Sequence, residues 1–148
     1  MNELHDNGDG VSADSLAFFR DHRHELGVIT HACVTFPGLG LHEPYNLVLR
    51  DDRGQRMLLS GCPAGYAGPG PRVAMQVLVE AGFAPQFVDV VFTHAEVRLS
   101  RSLDGTTALE RATRPSAPAH GHQVALLSLE AGRSATSEPG LVSDAEWA

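Results

Sequence analysis

Ser60-Gly61-Cys62-Pro63-Ala64-Gly65-Tyr66-Ala67-Gly68-Pro69-Gly70-Pro71-Arg72, followed directly by Val73-Ala74-Met75-Gln76-Val77-Leu78-Val79-Glu80-Ala81-Gly82, is the stretch around which the chain is organised. It reads as a strand end, a tight glycine-rich crossing and a short amphipathic helix. Pro71 suits the first helical position, where its missing N–H costs nothing. Gly82 suits the left-handed residue that closes a helix, with Phe83 ready to pack back.

Immediately upstream, Tyr45 to Arg50 and Gln55 to Ser60 read as two strands joined by Asp51-Asp52-Arg53-Gly54. Gly54 supplies the positive-φ residue of a longer hairpin turn, and that turn also accounts for the paired carboxylates Asp51 and Asp52. Before them, Val28 to Phe36 alternates strictly. Val28, Thr30, Ala32, Val34 and Phe36 point one way, and Ile29, His31, Cys33 and Thr35 the other. That is the pattern of a strand with one face on the core. Pro37-Gly38-Leu39-Gly40 breaks it. Earlier still, Ser12 is placed to cap a helix running to about Glu25, which Leu16, Phe18, Phe19 and Leu26 would bury. Residues 1–11 are polar and glycine-bearing, and their composition predicts a mobile N-terminus.

Downstream, Phe87 to Ser100 is rich in β-branched and aromatic residues and reads as one long strand. Leu103 to Gly121 reads as a turn and a Pro-Ala-Ser loop. Val124-Ala125-Leu126-Leu127-Ser128-Leu129 is a last apolar segment whose period does not separate strand from helix. From Gly132 to Ala148 the chain is polar and acidic, a composition that predicts disorder. The expected fold is therefore α+β: an antiparallel sheet of about four strands with two helices mainly on one face, a single domain over 12–131, and flexible acidic termini.

Composition narrows the function classes. The chain has 148 residues, 43 % of them hydrophobic, enough for one domain with a real core. No apolar run approaches the length of a membrane span, and the N-terminus has neither the basic start nor the apolar segment of a secretory signal. A cytoplasmic location follows as the expectation. Two cysteines, Cys33 and Cys62, do not make a disulfide framework. All eleven basic residues are arginine, so no catalytic lysine exists. The net charge of −7 lies at the ends, with residues 1–27 at −4 and 115–148 at −3, while 28–114 is neutral. A duplex binder needs a concentrated basic face, so nucleic acid is disfavoured as a partner.

The glycine-rich turn is the leading functional candidate, through Gly65, Tyr66, Gly68, Gly70 and Arg72. Glycines let backbone approach a ligand closely, and a helix N-terminus offers N–H groups and partial positive charge to a small anion. Arg72 would add a bidentate contact to phosphate or carboxylate. Against this, the turn is neither a dinucleotide fingerprint nor a P-loop, and Pro69 and Pro71 delete two N–H donors. The alternative is a rigid crossing in which Tyr66 packs on the sheet. A metal site from His31, Cys33, His94 and Glu96 would require the two strands carrying them to be neighbours; otherwise these are polar residues on a solvated sheet face. The close pairs His22-Arg23-His24 and His120-Gly121-His122 sit on a charged helix and in a loop. No cofactor motif and no catalytic motif is present; Cys62 near a helix start would have a lowered thiol pKa.

Gly65-Tyr66-Ala67-Gly68-Pro69-Gly70-Pro71 with the apolar helix after it resembles a turn of small uncharacterised bacterial and phage domains, in which an aromatic residue and Gly-x-Gly-x-Gly-Pro open a helix. This sequence departs from that pattern at Ala67, and the resemblance implies no activity. The order helix-strand-strand-strand-helix, with His42 and Tyr45-Asn46-Leu47-Val48 as a loose echo of the second strand, also resembles a double-stranded-RNA-binding domain. That family would need a lysine cluster at the helix start, where only Arg72 stands. The expectation is a small non-catalytic protein that engages a protein partner or itself, with a small anion at 61–72 as the alternative ligand.

Overall fold

The computed structural model describes residues 3–39 and 42–114. The chain runs β1 (Glu3–His5), α1 (Ser12–His22) extended by a 3₁₀ turn at Arg23–Glu25, β2 (Ile29–Thr35), β3 (Leu47–Asp51), β4 (Arg56–Leu59), α2 (Pro69–Ala81), α3 (Pro85–Val88) with a 3₁₀ turn at Asp89–Phe92, β5 (Glu96–Arg101) and β6 (Thr107–Thr113). The fold is α+β. The sheet is larger than the alternation predicts: among the described residues it has six strands, in the order β1-β4-β3-β2-β5-β6. It is also mixed, because β1 runs parallel to β4 while every other pair is antiparallel.

One sheet face carries the core. Met57, Leu49, Ala32 and Leu99 stand in one cross-strand row, and Leu59, Leu47, Val34 and Val97 in the next. All eight are buried against Phe19 of α1, Ala74, Val77, Leu78 and Ala81 of α2, and Val88 and Val91 beyond it. Each fully buried aliphatic side chain contributes about 1.5–3 kcal/mol relative to exposure. β2 does not keep strict alternation. A bulge between Ile29 and His31 resets the register, so Ile29 joins Ala32 and Val34 in the core while Val28 is left exposed; Phe36 keeps the parity of Val34 but lies past the end of β2.

α2 ends as its sequence predicts. Gly82 adopts φ 111°, and the N–H groups of Gly82 and Phe83 close on Val79 O at 3.0 Å and Leu78 O at 3.0 Å. Its start lies two residues earlier than expected: Gly68 is the cap, Pro69 takes the first position and Pro71 the third. The hairpin between β3 and β4 turns on Gly54 at φ 84°. Asp51 is buried there, accepting the N–H groups of Gly27 at 2.8 Å, Arg53 at 2.9 Å and Gln55 at 2.8 Å. Burial pushes its carboxyl up, but these N–H groups and the Gln55 amide outweigh that and hold it below the usual range.

Four sequence expectations are corrected. Residues 1–11, read as mobile, supply β1 and the buried Asp6. Asp6 takes Ser15 Oγ–H at 2.6 Å, Ser60 N–H and Oγ–H at 2.9 Å each and Gly8 N–H at 3.0 Å. That one carboxylate ties the N-terminus and α1 to the first residue of the crossing. Ser12 does not cap α1; the cap is Val11, and Ser12 Oγ donates instead to Gly61 O at 2.8 Å. The run from Phe87 is not a strand as far as Phe92. Pro85 starts a helical turn in which Val88 and Val91, three apart, reach the core, and β5 begins only at Glu96. The expected loop from Leu103 contains β6, joined to β5 through Gly105 at φ 97°. The expectations for 115–121, for Val124–Leu129 and for 132–148 lie outside the described residues.

Candidate functional site

The crossing from β4 to α2 is anchored by backbone. Ala64 N–H donates to Thr35 O at 3.1 Å, Gly65 N–H to Val91 O at 2.8 Å, and Phe36 N–H to Ala95 O at 2.7 Å. Asn46, buried, adds Nδ2–H to Ser60 O at 3.0 Å and accepts Cys62 N–H at 3.0 Å. The backbone of residues 60–65 is therefore fixed to β2, to the loop before β3 and to the turn before β5.

On this base the glycines admit aromatic rings rather than leave a cavity. Gly65 sits at φ 107°, and a Cβ there would lie 2.6 Å from Phe36 Cδ1. A Cβ on Gly70 would lie 2.7 Å from Pro63 and 3.0 Å from the Tyr66 hydroxyl; one on Gly68 would meet the Tyr66 ring at 3.0 Å. Phe36 thus lies on Gly65, and Tyr66 folds over Gly68 and Gly70. The two rings meet edge to face, centroids 6.1 Å apart at 83°. Their outer surfaces stay open to water, Phe36 at 36 % and Tyr66 at 39 % exposure. Leu39, 63 % exposed, follows in the turn after β2, its N–H donating to Phe36 O at 3.0 Å. The result is an exposed pair of aromatic rings on a backbone pinned from three sides.

Gly65, Tyr66, Gly68 and Gly70 are brought together, with Tyr66 resting on the glycines rather than on the sheet. Arg72 is exposed on the first turn of α2, and its N–H already bonds Gly68 O at 3.1 Å. With prolines at two of the first three helical positions and the phenol against Gly70, little donor capacity faces an incoming anion. The metal candidates are not gathered, although β2 and β5 do pair. Cys33 stands opposite Arg98, His31 opposite Ser100 and Thr35 opposite Glu96. Glu96 is held by Arg98 at 2.8 Å and Arg111 at 3.5 Å, and His94, outside β5, bonds Thr93 Oγ1 at 2.8 Å. Among the described residues no group of three or more His, Cys, Asp or Glu is placed to hold a metal ion.

Cys62 also departs from expectation. It lies at the start of the crossing, seven residues before α2, and is fully buried. Burial first, and then the Asp6 charge, push its thiol up, against a smaller opposing contact from Ser15. His22 bonds Glu25 at 2.6 Å on the helix surface; His120 and His122 lie outside the described residues. Sequence reading missed Phe36 as the companion of Tyr66. The available signal was an apolar residue directly before Pro37-Gly38, one position past the end of an alternating strand. Among the described residues no helix is long and apolar enough to cross a membrane. No protein-family model, no curated protein and no solved structure matches this chain.

Proposed function

We propose that this is a small non-catalytic binding or regulatory protein that engages a partner protein through the exposed ring pair of Phe36 and Tyr66. One observation carries the reading: two aromatic rings, each more than one-third exposed, are held edge to face on glycine backbone. Aromatic side chains presented rigidly lose little conformational freedom on binding, which is why such residues dominate the energetics of protein interfaces. The bonds from Ala64, Gly65 and Phe36 to Thr35, Val91 and Ala95 supply that rigidity. The small-anion alternative is weaker, because Pro69, Pro71 and Tyr66 take up the α2 N-terminus. Nucleic acid is disfavoured by the net charge of −7.

The test compares affinity capture from the encoding cells by the wild-type chain and by Phe36→Ser/Tyr66→Ser, after melting curves show that the variant folds. Proteins retained by the wild type and lost from the folded variant support the reading. Equal retention by both contradicts it. A thermal shift of the wild type with phosphate, nucleotide or carboxylate that Arg72→Ala abolishes would favour the anion reading instead.

A further inference from the structure

Asn7-Gly8 is the one Asn-Gly step in the chain, and Asn7 is exposed. Glycine places no side chain over its own backbone nitrogen, so that nitrogen can attack the preceding asparagine Cγ and close a five-membered ring. Two hydrogen bonds bear on this reaction in opposite senses. Asp9 N–H donates to Asn7 Oδ1 at 3.2 Å, which draws electrons toward that oxygen and makes Cγ a better electrophile. Gly8 N–H, the nucleophile, instead donates to Asp6 Oδ1 at 3.0 Å. Asp6 is buried and fixed by Ser15 and Ser60, so it cannot follow the glycine nitrogen toward Cγ. Its carboxylate also opposes removal of the Gly8 proton, because an amide anion there would face a like charge. The electrophile is activated while the nucleophile is held away.

We propose that Asn7 is a self-modification site locked by Asp6, a deamidation whose completion releases the N-terminal strand. Gly8 N gives its proton to a solvent base and bonds Asn7 Cγ. The carboxamide nitrogen takes up a proton and leaves as ammonia, and a succinimide remains. Water then adds to one of the two ring carbonyls and breaks its C–N bond, with no change of oxidation state. Opening at the main-chain carbonyl leaves isoaspartate, and opening at the former Cγ leaves aspartate. Isoaspartate lengthens the path from Asp6 to Gly8 by one main-chain carbon, so Gly8 N–H no longer meets Asp6 while β1 keeps its register on β4. Both products add a negative charge beside Asp6 and Asp9. Asp6 is also the residue that ties β1 to Ser60, so disturbing it frees Glu3–His5 from the sheet edge.

The experiment incubates the full-length chain at neutral pH and measures aspartate and isoaspartate at position 7 by fragmentation mass spectrometry. Asp6→Ala, kept below its melting range, should convert Asn7 at least about tenfold faster than wild type. That factor corresponds to about 1.4 kcal/mol, the scale of one hydrogen bond to a carboxylate. An unchanged rate in folded Asp6→Ala overturns the proposal and leaves the turn as a seat for Asp6 alone. Two measurements on wild type decide the matter if that variant does not fold. The Gly8 amide should exchange hydrogen, and Asn7 should deamidate, at least about tenfold slower in the native protein than in urea. Equality of either pair of rates overturns the lock. Finally, chain carrying isoaspartate at position 7 should lose its N-terminal strand to protease faster than unmodified chain. Equal resistance overturns the release.

Discussion

Asp6→Ala should destabilise the fold far more than its place in a polar N-terminus suggests. The carboxylate is 4 % exposed and accepts four hydrogen bonds, from Ser15 Oγ, Ser60 N, Ser60 Oγ and Gly8 N. Its loss leaves the Ser15 hydroxyl and the Ser60 N–H buried without an acceptor, and each orphaned donor costs about 1–3 kcal/mol. Ser15 Oγ also holds Gly61 N–H at 2.8 Å, and Ser60 Oγ holds Gly10 N–H at 3.1 Å, so both secondary bonds loosen. The sum for the two donors is about 2–6 kcal/mol. At about 2–4 °C per kcal/mol for a chain of this size, Tm falls by roughly 4–24 °C. Urea denaturation and calorimetry of wild type, Asp6→Ala and the control Asp9→Ala measure it. Asp9 is exposed and takes only Val11 N–H at 3.0 Å, so its loss should cost far less than that of Asp6. An Asp6→Ala cost no larger than the control's would refute the reasoning and return residues 1–11 to a mobile segment.

Gly70→Ala should cost about 1–3 kcal/mol, because its Cβ meets Pro63 at 2.7 Å and must displace Tyr66, whereas Arg72→Ala stays within about 0.5 kcal/mol; paired melts decide. Cys62 should resist maleimide at pH 9, where a thiol of ordinary pKa reacts readily, and react only as fast as the chain unfolds; rapid labelling in the native state would contradict its burial. Asp51 has a folded-state pKa held below its unfolded value. Its contribution is therefore fully present above the unfolded carboxylate pKa near ~3.9 and is lost as pH falls through the folded value. The stability gap between wild type and Asp51→Ala should narrow below about pH 4, and a gap constant from pH 7 to 3 would contradict the hydrogen-bonded carboxylate.

What could be read from the sequence was local. α2 and its Gly82 terminus, α1, and the β3–β4 hairpin with Gly54 are specified by spacing and turn chemistry within a few residues. β1 is not, because three residues carry no period and the strand is fixed by Asp6 bonding to Ser60, fifty-four positions away. β6 escapes for a related reason: as an edge strand with Leu109 exposed, it lacks a clear inward stripe. At Phe87 to Phe92, β-branched composition suggested a strand, but Val88 and Val91 bury at a spacing of three after Pro85. The glycine-rich turn was visible as a turn. What it holds was not, since Phe36 reaches Gly65 from another strand.

The central claim is that the crossing presents an aromatic surface to a partner, and site-specific photo-crosslinking tests it most directly. A benzophenone side chain is placed in turn at Phe36, at Tyr66 and, as a control, at Leu103. Leu103, 69 % exposed, lies in the β5–β6 turn, at the other end of β5 from the ring pair. Irradiation in the encoding cells should give the same discrete protein adduct from positions 36 and 66 and none from 103. Adducts of equal yield from all three positions, or from 103 alone, would contradict the claim.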